Sequence, residues 1–264
     1  MEDTRVILFG CTKFSEQIFN ELINNSVKIV GIFTIPKQFG ISYSEEKVLN
    51  VNYVDFFKLG KKHNIPVYSV ESGKKKNIAS FQSVIKSLNP SVILVMGWYF
   101  MVPKKIRDIP VFGAWGIHAS MLPDYAGGAP LVWSIIKGDA STGVTLFKLG
   151  SGVDDGDIIE QREVAIEITD TIKELYEKIT LISKNILISS LLDIECLETI
   201  PQEKDKIKVY PQRSPEDGLI DLSWSKEEIF NFIRAQSSPY PGAFIELDGG
   251  ERLFIEKVRI ERKK

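Results

Sequence analysis

His118 is the side chain of this sequence best suited to acid–base chemistry. It is one of two histidines in 264 residues, and it stands between an apolar run and a loop rich in proline and glycine, in the segment WGIHASMLPDYAGGAP. An imidazole can hold or transfer a proton near neutral pH. An isolated histidine at a strand end is commonly structural, so a catalytic interpretation requires a partner group.

The later segment GVDDGD offers that partner. Asp154 lies 36 positions after His118, in a turn flanked by glycines. A carboxylate beside an imidazole favours the charged ring and fixes its tautomer, and such a pair suits acyl transfer to an amine. We therefore expect His118 and Asp154 to meet in one site. His63, in the charged stretch KKHNIP, is interpreted instead as a solvated residue at a helix end.

Strands and helices alternate in the half of the chain that must position this pair. The predicted elements are, in order, RVILFG, FSEQIFNELI, VKIVGIFTI, VDFFKLGKKH, IPVYSV, IASFQSVIKSL and SVILVMG. Strands that are apolar throughout and alternate with helices indicate a parallel sheet covered on both faces. The predicted fold class is therefore α/β, with a doubly wound, Rossmann-like, mostly parallel sheet. VFGAWGIH places His118 at the carboxyl end of a strand, where open α/β sheets bind ligands.

The second half predicts two antiparallel strands, a long helix and a small appendage. The strands TGVTLFKLG and DIIEQREVAI are joined through SGVDDG, whose glycines and aspartates permit a turn. The helix is predicted over about 171–195. Residues 201–215 are charged and punctuated by proline, which is typical of a domain junction. We expect a main domain over 1–200 and a small β-rich, truncated OB-like domain over 201–264.

Composition narrows the function classes. Lys and Arg total 33 against 35 Asp and Glu, so the charge balance disfavours a nucleic-acid partner. Cys11 and Cys196 match no disulfide or metal spacing, so no metal is expected, and an acidic N-terminal start favours a cytoplasmic location. Every apolar stretch is interrupted before the roughly 20 residues that a membrane span needs, so no membrane partner is expected.

The residues from His118 onward resemble a known family. The segment HASMLPDYAGGAPLVWSIIKGDASTGVTLFKLGSGVDDGDI is similar to the signature region of the 10-formyltetrahydrofolate-dependent formyltransferases, and ILFGCTKFSEQIF, RSPEDGLIDLSWS and SSPYPGAF extend the resemblance to both ends. The resemblance implies transfer of a formyl group from a folate nitrogen to a primary amine, with His118 and Asp154 at the catalytic positions. In that chemistry an imidazolium held by an ionised carboxylate stabilises the formyl oxygen and takes part in proton transfer.

One family position is changed. The family pattern is Asn-x-His, whose amide is a second donor to the formyl oxygen, whereas this chain has Gly116 two residues before His118. Three interpretations stay open: another group or a water supplies the hydrogen bond, the enzyme is slower and depends on His118, or the chain binds its ligands without catalysis. Ala126 also stands where many relatives have an arginine, so one positive charge is absent.

By resemblance, the folate lies against two loops and one further glycine. The residues concerned are Phe100, Met101, Val102, Gly128, Gly150, Ser151, Gly152 and Val153. The segment WYFMVP independently puts aromatic and apolar side chains after a strand, which suits a flat pterin ring. The alternative interpretation of WYFMVP is a buried hydrophobic connection.

Three members of the family differ in their acceptor. The methionyl-tRNA formyltransferases are longer and carry a basic surface for RNA, and the glycinamide ribonucleotide formyltransferases are shorter and lack the RSPEDG-type tail. The sugar N-formyltransferases, which act on nucleotide-linked 4-amino-4-deoxy sugars, fit length, charge and tail best. The preferred hypothesis is therefore a sugar N-formyltransferase of lipopolysaccharide O-antigen biosynthesis, acting on a 4-amino-4,6-dideoxyhexose type of sugar. The alternatives are a methionyl-tRNA formyltransferase-like enzyme and a catalytically impaired folate- or nucleotide-sugar-binding protein.

The acceptor's phosphates would need a binding site of their own. At the first turn, Gly10, Thr12 and Lys13 can offer backbone N–H groups and an ammonium at a helix start, although the turn lacks GxGxxG. Asn77, in GKKKN, matches a family position, with a solvated loop as the alternative. By analogy with related sugar enzymes, we expect a homodimer formed through the C-terminal tail.

Overall fold

The computed structural model describes residues 4–41, 44–73 and 76–261. Lys74 and Lys75 of the GKKKN segment lie outside these ranges. The strands of the described residues are β1 (Arg5–Phe9), β2 (Lys28–Thr34), β3 (Gln38–Ile41), β4 (Ser44–Leu49), β5 (Val67–Ser69), β6 (Val92–Val95), β7 (Ala114–His118), β8 (Ala126–Gly127), β9 (Ser141–Lys148), β10 (Ile158–Ala165), β11 (Val209–Tyr210), β12 (Ala243–Glu246) and β13 (Arg252–Ile255). The α-helices are α1 (Lys13–Asn24), α2 (Phe56–His63), α3 (Gln82–Ser87), α4 (Lys104–Arg107), α5 (Pro130–Lys137), α6 (Ile172–Leu192) and α7 (Lys226–Gln236).

Seven strands form the central sheet, in the order β10-β9-β7-β6-β1-β2-β5. The five strands from β7 to β5 are parallel, whereas β9 runs antiparallel to β7 and β10 runs antiparallel to β9. This arrangement confirms the predicted α/β fold with a mostly parallel sheet. It also confirms the antiparallel pair predicted for the segments on either side of SGVDDG.

Strand β1 shows why its sequence forms the middle of a covered sheet. All four residues from Val6 to Phe9 are inaccessible to solvent. Val6 and Leu8 pack in one hydrophobic cluster, with residues of α1, α5 and α6, while Ile7 and Phe9 pack in another, with residues of α3 and α4. Successive side chains of a strand point to opposite faces, so an apolar run of this kind fits only a sheet with helices on both sides.

The chain after α6 returns to the main domain before it forms its own small core. Strand β11 pairs in parallel with β8, which lies in the loop after His118. Helix α7 and the β12–β13 hairpin then enclose a separate cluster around Phe232 and Ala243. The buried Arg234 of α7 donates to the backbone carbonyls of Glu167 and Asp170, which joins this unit to the start of α6.

Two further features bear on the sequence predictions. Helix α6 begins with a capping box between Thr171 and Glu174, close to the predicted start of the long helix. His63 ends α2, and its half-buried ring packs edge-on against Phe19 rather than standing fully in solvent. No helix in the described part of the chain combines the length and the apolarity that a membrane crossing requires.

Candidate active site

His118 and Asp154 lie side by side although they are remote along the chain. His118 is the last residue of β7, and Asp154 lies in the turn between β9 and β10. Because β7 pairs directly with β9, this turn lies beside the chain that leaves β7. His118 Nδ1 is 3.4 Å from Asp154 Oδ2, and the two side chains are 10% and 21% exposed, so the pair is sheltered but reachable.

The loop after β7 contacts both members of this pair. His118 Nε2 lies 2.7 Å from the backbone oxygen of Tyr125, and the Gly127 N–H donates to Asp154 Oδ2 at 2.8 Å. A protonated imidazole can therefore donate from both nitrogens, one to the carboxylate and one to the carbonyl. Gly127 has a φ of 92°, and a Cβ there would lie 2.5 Å from the oxygen of Tyr210, so this position requires glycine.

The side chain of Tyr125 anchors that loop. Its hydroxyl donates to Asp139, and its ring packs 4.9 Å from the ring of Tyr210, measured between centroids. Burial is the main cause that raises the pKa of Tyr125, and the hydrogen bond to Asp139 adds to the effect. The hydroxyl therefore stays protonated and keeps donating, which holds the Tyr125 carbonyl opposite His118.

Gln202 secures the turn that carries the carboxylate. Its Nε2 donates to the backbone oxygens of Asp154 and Gly156, both at 2.7 Å, and the residue is 9% exposed. Asp154 has a φ of 50°, a left-handed conformation that costs free energy in a non-glycine residue and needs such support. Sequence reasoning missed Gln202, because a glutamine in a charged, proline-punctuated segment belongs to no recognisable motif.

Two apolar side chains of the neighbouring strand and its extension pack closely against Gly116, which also borders a cavity. Gly116 is opposite Phe147 in the β7–β9 register, and a Cβ built at Gly116 would lie 3.1 Å from the Phe147 ring and 2.9 Å from Leu149. A side chain at position 116 would therefore meet these two side chains at its Cβ, and they would have to shift by a few tenths of an ångström. Neither of those side chains can donate a hydrogen bond to a formyl oxygen.

A cavity of about 340 Å³ opens next to Gly116 and Asp154. Six of the eight residues expected against the folate line it: Phe100, Met101, Val102, Gly150, Gly152 and Val153. The other two, Gly128 and Ser151, lie outside its wall. A Cβ at Gly128 would lie 2.5 Å from the backbone of Gln212, so Gly128 packs against the chain after β11, and Ser151 is exposed on the surface of its turn.

The cavity wall also contains residues that sequence reasoning did not assign. Trp98, Arg107, Phe147 and Leu149 all line it. Trp98 Nε1 and Arg107 Nε are buried and have no hydrogen-bond partner within the described ranges. A buried donor without a partner costs free energy that an acceptor on a ligand would recover. The arrangement suits a flat, largely apolar ring with polar atoms at its edge.

The first turn does not present a set of open N–H groups. The N–H groups of residues 10–13 all donate hydrogen bonds within the protein. Gly10 donates to the backbone oxygen of Phe33, Cys11 and Thr12 donate to the Ser15 hydroxyl, and Lys13 donates to the backbone oxygen of Asn52. The Thr12 hydroxyl also caps α1. These N–H groups are therefore not open to a phosphate unless the turn rearranges, and binding of the acceptor by Gly10 and Thr12 stays a prediction.

Two of the expected acceptor contacts retain polar side chains near the surface. Lys13 is exposed, so its ammonium is the group of the first turn that a phosphate could reach. Asn77 accepts a hydrogen bond from the Ser80 N–H and caps a single 3-10 turn over Ile78–Phe81. The structure thus gives Asn77 a local structural contact, whatever else it binds.

Comparison with known proteins assigns the chain to a family. The family described as "Formyl transferase" matches residues 4–191, and "Formyl transferase, C-terminal domain" matches residues 213–264. The methionyl-tRNA formyltransferase of Ehrlichia ruminantium (strain Welgevonden) is 34% identical over 247 residues, which are 93% of this chain and 77% of that protein.

Two solved structures share the fold at low identity. A sugar N-formyltransferase from Shewanella sp FDAARGOS_354 superposes with a TM-score of 0.74 at 18% identity, covering 98% of this chain and 99% of that one. An N-formyltransferase from Helicobacter canadensis, in complex with folinic acid and dTDP-3-aminofucose, superposes with a TM-score of 0.66 at 18% identity, covering 88% and 80%. From the matched sequence over nearly its whole length, the chain belongs to the formyl transferase family.

Proposed function

We propose that this protein transfers a formyl group from 10-formyltetrahydrofolate to the primary amine of a nucleotide-linked amino sugar, of the 4-amino-4,6-dideoxyhexose type. One observation carries the proposal: in a chain of the formyl transferase family, His118 and Asp154 lie 3.4 Å apart at the edge of a cavity with apolar walls. An acid–base pair next to a slot for a flat ring is the arrangement that formyl transfer from a folate requires.

The cavity fits the pterin of the donor better than it fits a sugar. Its walls combine the aromatic Phe100 and Trp98 with apolar side chains and the glycines of the β9–β10 turn. Aromatic and aliphatic walls stabilise a flat bicyclic ring through burial, whereas a sugar needs a denser set of polar partners. With the pterin in this slot, we place the formyl group on N10 toward Gly116 and Asp154, which line the cavity, and toward His118, which pairs with Asp154.

The His118–Asp154 pair supplies the proton transfers. In the overall step the amine nitrogen bonds to the formyl carbon, the bond from that carbon to N10 breaks, and one proton passes from the amine to N10. In the structure Nδ1 of His118 faces Asp154 and Nε2 faces the Tyr125 carbonyl. The step therefore requires Nε2 to exchange that carbonyl for the formyl oxygen, to which it donates as negative charge develops there, and His118 then relays the proton. Asp154 holds the charged ring in place, since it is itself fixed by the Gly127 N–H.

Because Gly116 has no side chain, stabilisation of the formyl oxygen depends more strongly on His118 in this chain. The family's asparagine would share the charge on the formyl oxygen, but the side chains that contact position 116, Phe147 and Leu149, cannot donate a hydrogen bond. Of the three interpretations given above, we favour an active enzyme that depends on His118, with a bound water as the second donor. The close packing of Phe147 and Leu149 against Gly116 supports this choice, because the pairing of β7 with β9 continues through the position of the missing amide.

Charge supports the nucleotide-sugar acceptor. Lys and Arg do not exceed Asp and Glu, as they would on a surface built for transfer RNA. The exposed Lys13 offers one cation to the acceptor's phosphates.

A second candidate is formylation of methionyl-tRNA. The specific observation in its favour is the 34% identity to a methionyl-tRNA formyltransferase, which exceeds the 18% identity to the sugar enzymes. Identity in the shared donor site contributes to that figure whichever acceptor is used.

One assay separates these functions. The protein is incubated with 10-formyltetrahydrofolate and, in parallel, with a panel of nucleotide-linked amino sugars and with methionyl initiator tRNA, and formylated product is detected by mass spectrometry. A formylated sugar supports the proposal, and formylation of the tRNA alone transfers the assignment to the second candidate. Binding of folate without any product would show a protein that binds its ligands but does not catalyse the transfer.

We also propose a homodimer that forms through the C-terminal unit. Strand β13 leaves Leu253 and Phe254 about half exposed, and Ile260 beyond it is exposed as well. Several apolar side chains on one short hairpin and its tail would be covered by the same segment of a second copy. Sedimentation equilibrium tests this state, and a monomer at micromolar concentration would contradict it.

A further inference from the structure

Arg107 is a cation in the wall of the donor cavity that has almost no partner of its own. It ends the short helix α4 and is half-buried. Among the described residues the only hydrogen bond of its guanidinium runs from Nη1 to the backbone oxygen of Leu149, at 3.4 Å, and its Nε is buried without a partner. No described carboxylate forms an ion pair with it. A guanidinium has five N–H donors, so four of them have no partner among the described residues.

Leaving the Arg107 guanidinium with so few partners costs the protein free energy when no ligand is bound. A partly buried charge needs hydrogen bonds or a counter-ion to offset the loss of water, and Arg107 has one weak contact. A ligand oxygen that enters the cavity beside Arg107 would restore those hydrogen bonds. Because hydrogen bonds to charged groups are stronger than those between neutral groups, such an oxygen would add markedly to ligand affinity.

The position of Arg107 in the cavity indicates which part of a bound folate would contact it. Met101 and Val153 are 66% and 46% exposed, so they border the open side of the cavity, whereas Arg107 follows the buried Val102 and Ile106 and has its Nε shielded from water. The glutamyl tail of a folate is charged and belongs at the open side. The group that reaches the inner wall is the pterin, whose one exocyclic oxygen is the 4-oxo group.

We propose that Arg107 recognises the 4-oxo group of the pterin by donating hydrogen bonds to it, and so makes this protein selective for 4-oxo over 4-amino pteridines. This inference rests on the proposed use of a folate donor. It assigns to Arg107 a binding and selectivity role within that site, separate from the proton transfers of His118. A 4-amino group would point N–H donors at the guanidinium, which leaves both sides without an acceptor.

Equilibrium binding of three unreactive probes tests the proposal. Folic acid and aminopterin differ at position 4 in carrying oxygen or nitrogen, and pteroic acid keeps the 4-oxo group but lacks the glutamate. Binding is measured by calorimetry at mildly alkaline pH for the wild type and for Arg107→Met, which keeps an unbranched chain of similar length. Wild type is expected to bind folic acid at least about tenfold more tightly than aminopterin. Arg107→Met is expected to weaken the binding of folic acid and of pteroic acid by the same factor, about tenfold to a hundredfold. It is also expected to abolish the preference for folic acid over aminopterin.

Two control variants keep the result specific. Lys105→Met removes an exposed charge from the same helix and is expected to leave all three affinities unchanged. Trp98→Phe removes the other unpaired N–H of the wall while keeping an aromatic ring, and it is expected to retain the oxo preference. Thermal unfolding of each variant shows that it is folded.

Three outcomes would overturn the assignment of Arg107. The first is an unchanged preference for folic acid over aminopterin in Arg107→Met. The second is a weaker affinity of Arg107→Met for folic acid with an unchanged affinity for pteroic acid, which would place Arg107 at the glutamate. The third is a loss of the oxo preference in Trp98→Phe but not in Arg107→Met. If the wild type binds none of the probes and also fails to bind 5-formyltetrahydrofolate, the proposed donor itself is wrong and this inference fails with it.

Discussion

Phe147 stands opposite Gly116 across β7 and β9, and its ring lies 3.1 Å from the position that a Cβ at residue 116 would take. The loss of the family's asparagine is therefore not an empty place next to the reacting atoms. Gly116 is one half of a closely packed pair, and an asparagine returned to this position would push the phenyl ring and the Leu149 side chain aside by a few tenths of an ångström.

The first prediction concerns this pair. Gly116→Asn introduces atoms that lie 2.9 Å from Leu149 and 3.1 Å from the Phe147 ring at the Cβ alone. Overpacking of a filled core typically costs about 1–3 kcal/mol, so we expect a loss of that size in the free energy of unfolding and no gain in formyl transfer. Urea denaturation and the formylation assay measure the two effects.

A double-mutant cycle provides the control. Phe147→Ala alone should destabilise by about 3–5 kcal/mol through the cavity that it leaves. In the double variant the asparagine occupies part of that cavity, so the combined loss should be smaller than the sum by about 0.5–3 kcal/mol. If the two single losses in the free energy of unfolding simply add in the double variant, positions 116 and 147 do not compete for space.

The second prediction concerns Gln202, which we assign a positioning role. Gln202→Glu keeps the shape of the side chain but replaces the amide donor with a carboxylate that faces the oxygens of Asp154 and Gly156. We expect a loss of about 1–3 kcal/mol in stability, because two buried carbonyls lose their donor. Turnover should fall while the affinity for folic acid changes little, since Asp154 shifts relative to His118 and the cavity wall remains. A variant with normal turnover would show that the turn holds Asp154 without Gln202.

The third prediction uses the two cysteines. Cys11 is fully buried and burial raises the pKa of its thiol to about 12, whereas Cys196 is exposed. A thiol is protonated below its pKa, and alkylating reagents react with the thiolate. At mildly alkaline pH we therefore expect iodoacetamide to label Cys196 in the folded protein and Cys11 only after denaturation. Peptide mapping by mass spectrometry distinguishes them, and early labelling of Cys11 would mean that the first turn opens.

The sheet could be predicted from sequence because its signal is local. Val6 to Phe9 form an unbroken apolar run, and such a run followed by a turn and an amphipathic helix has few other structural solutions. The proximity of His118 and Asp154 could also be expected, since the resemblance covers both residues and the strands between them. The apolar slot followed from the aromatic segment after β6.

The remaining features depend on contacts between distant segments that leave no motif. The N–H groups of the first turn looked open in sequence, but the hydroxyl of Ser15 folds back on two of them. Gln202 reaches Asp154 because the chain after α6 returns across the β9–β10 turn. Arg107 is one cation among several in KKIR, and only the fold shows that it faces the cavity while Lys104 and Lys105 face solvent.

The most direct test of the central claim is the rate of formyl transfer by two variants, His118→Ala and Asp154→Asn, at saturating 10-formyltetrahydrofolate and nucleotide-linked amino sugar. Asp154→Asn is isosteric and keeps an oxygen for the Gly127 N–H, so it alters the charge beside His118 with little change in shape. We predict that kcat falls about a hundredfold to ten-thousandfold in each variant, with folic acid still bound. Turnover at the wild-type rate by either folded variant would contradict the assignment of His118 and Asp154 as the catalytic pair.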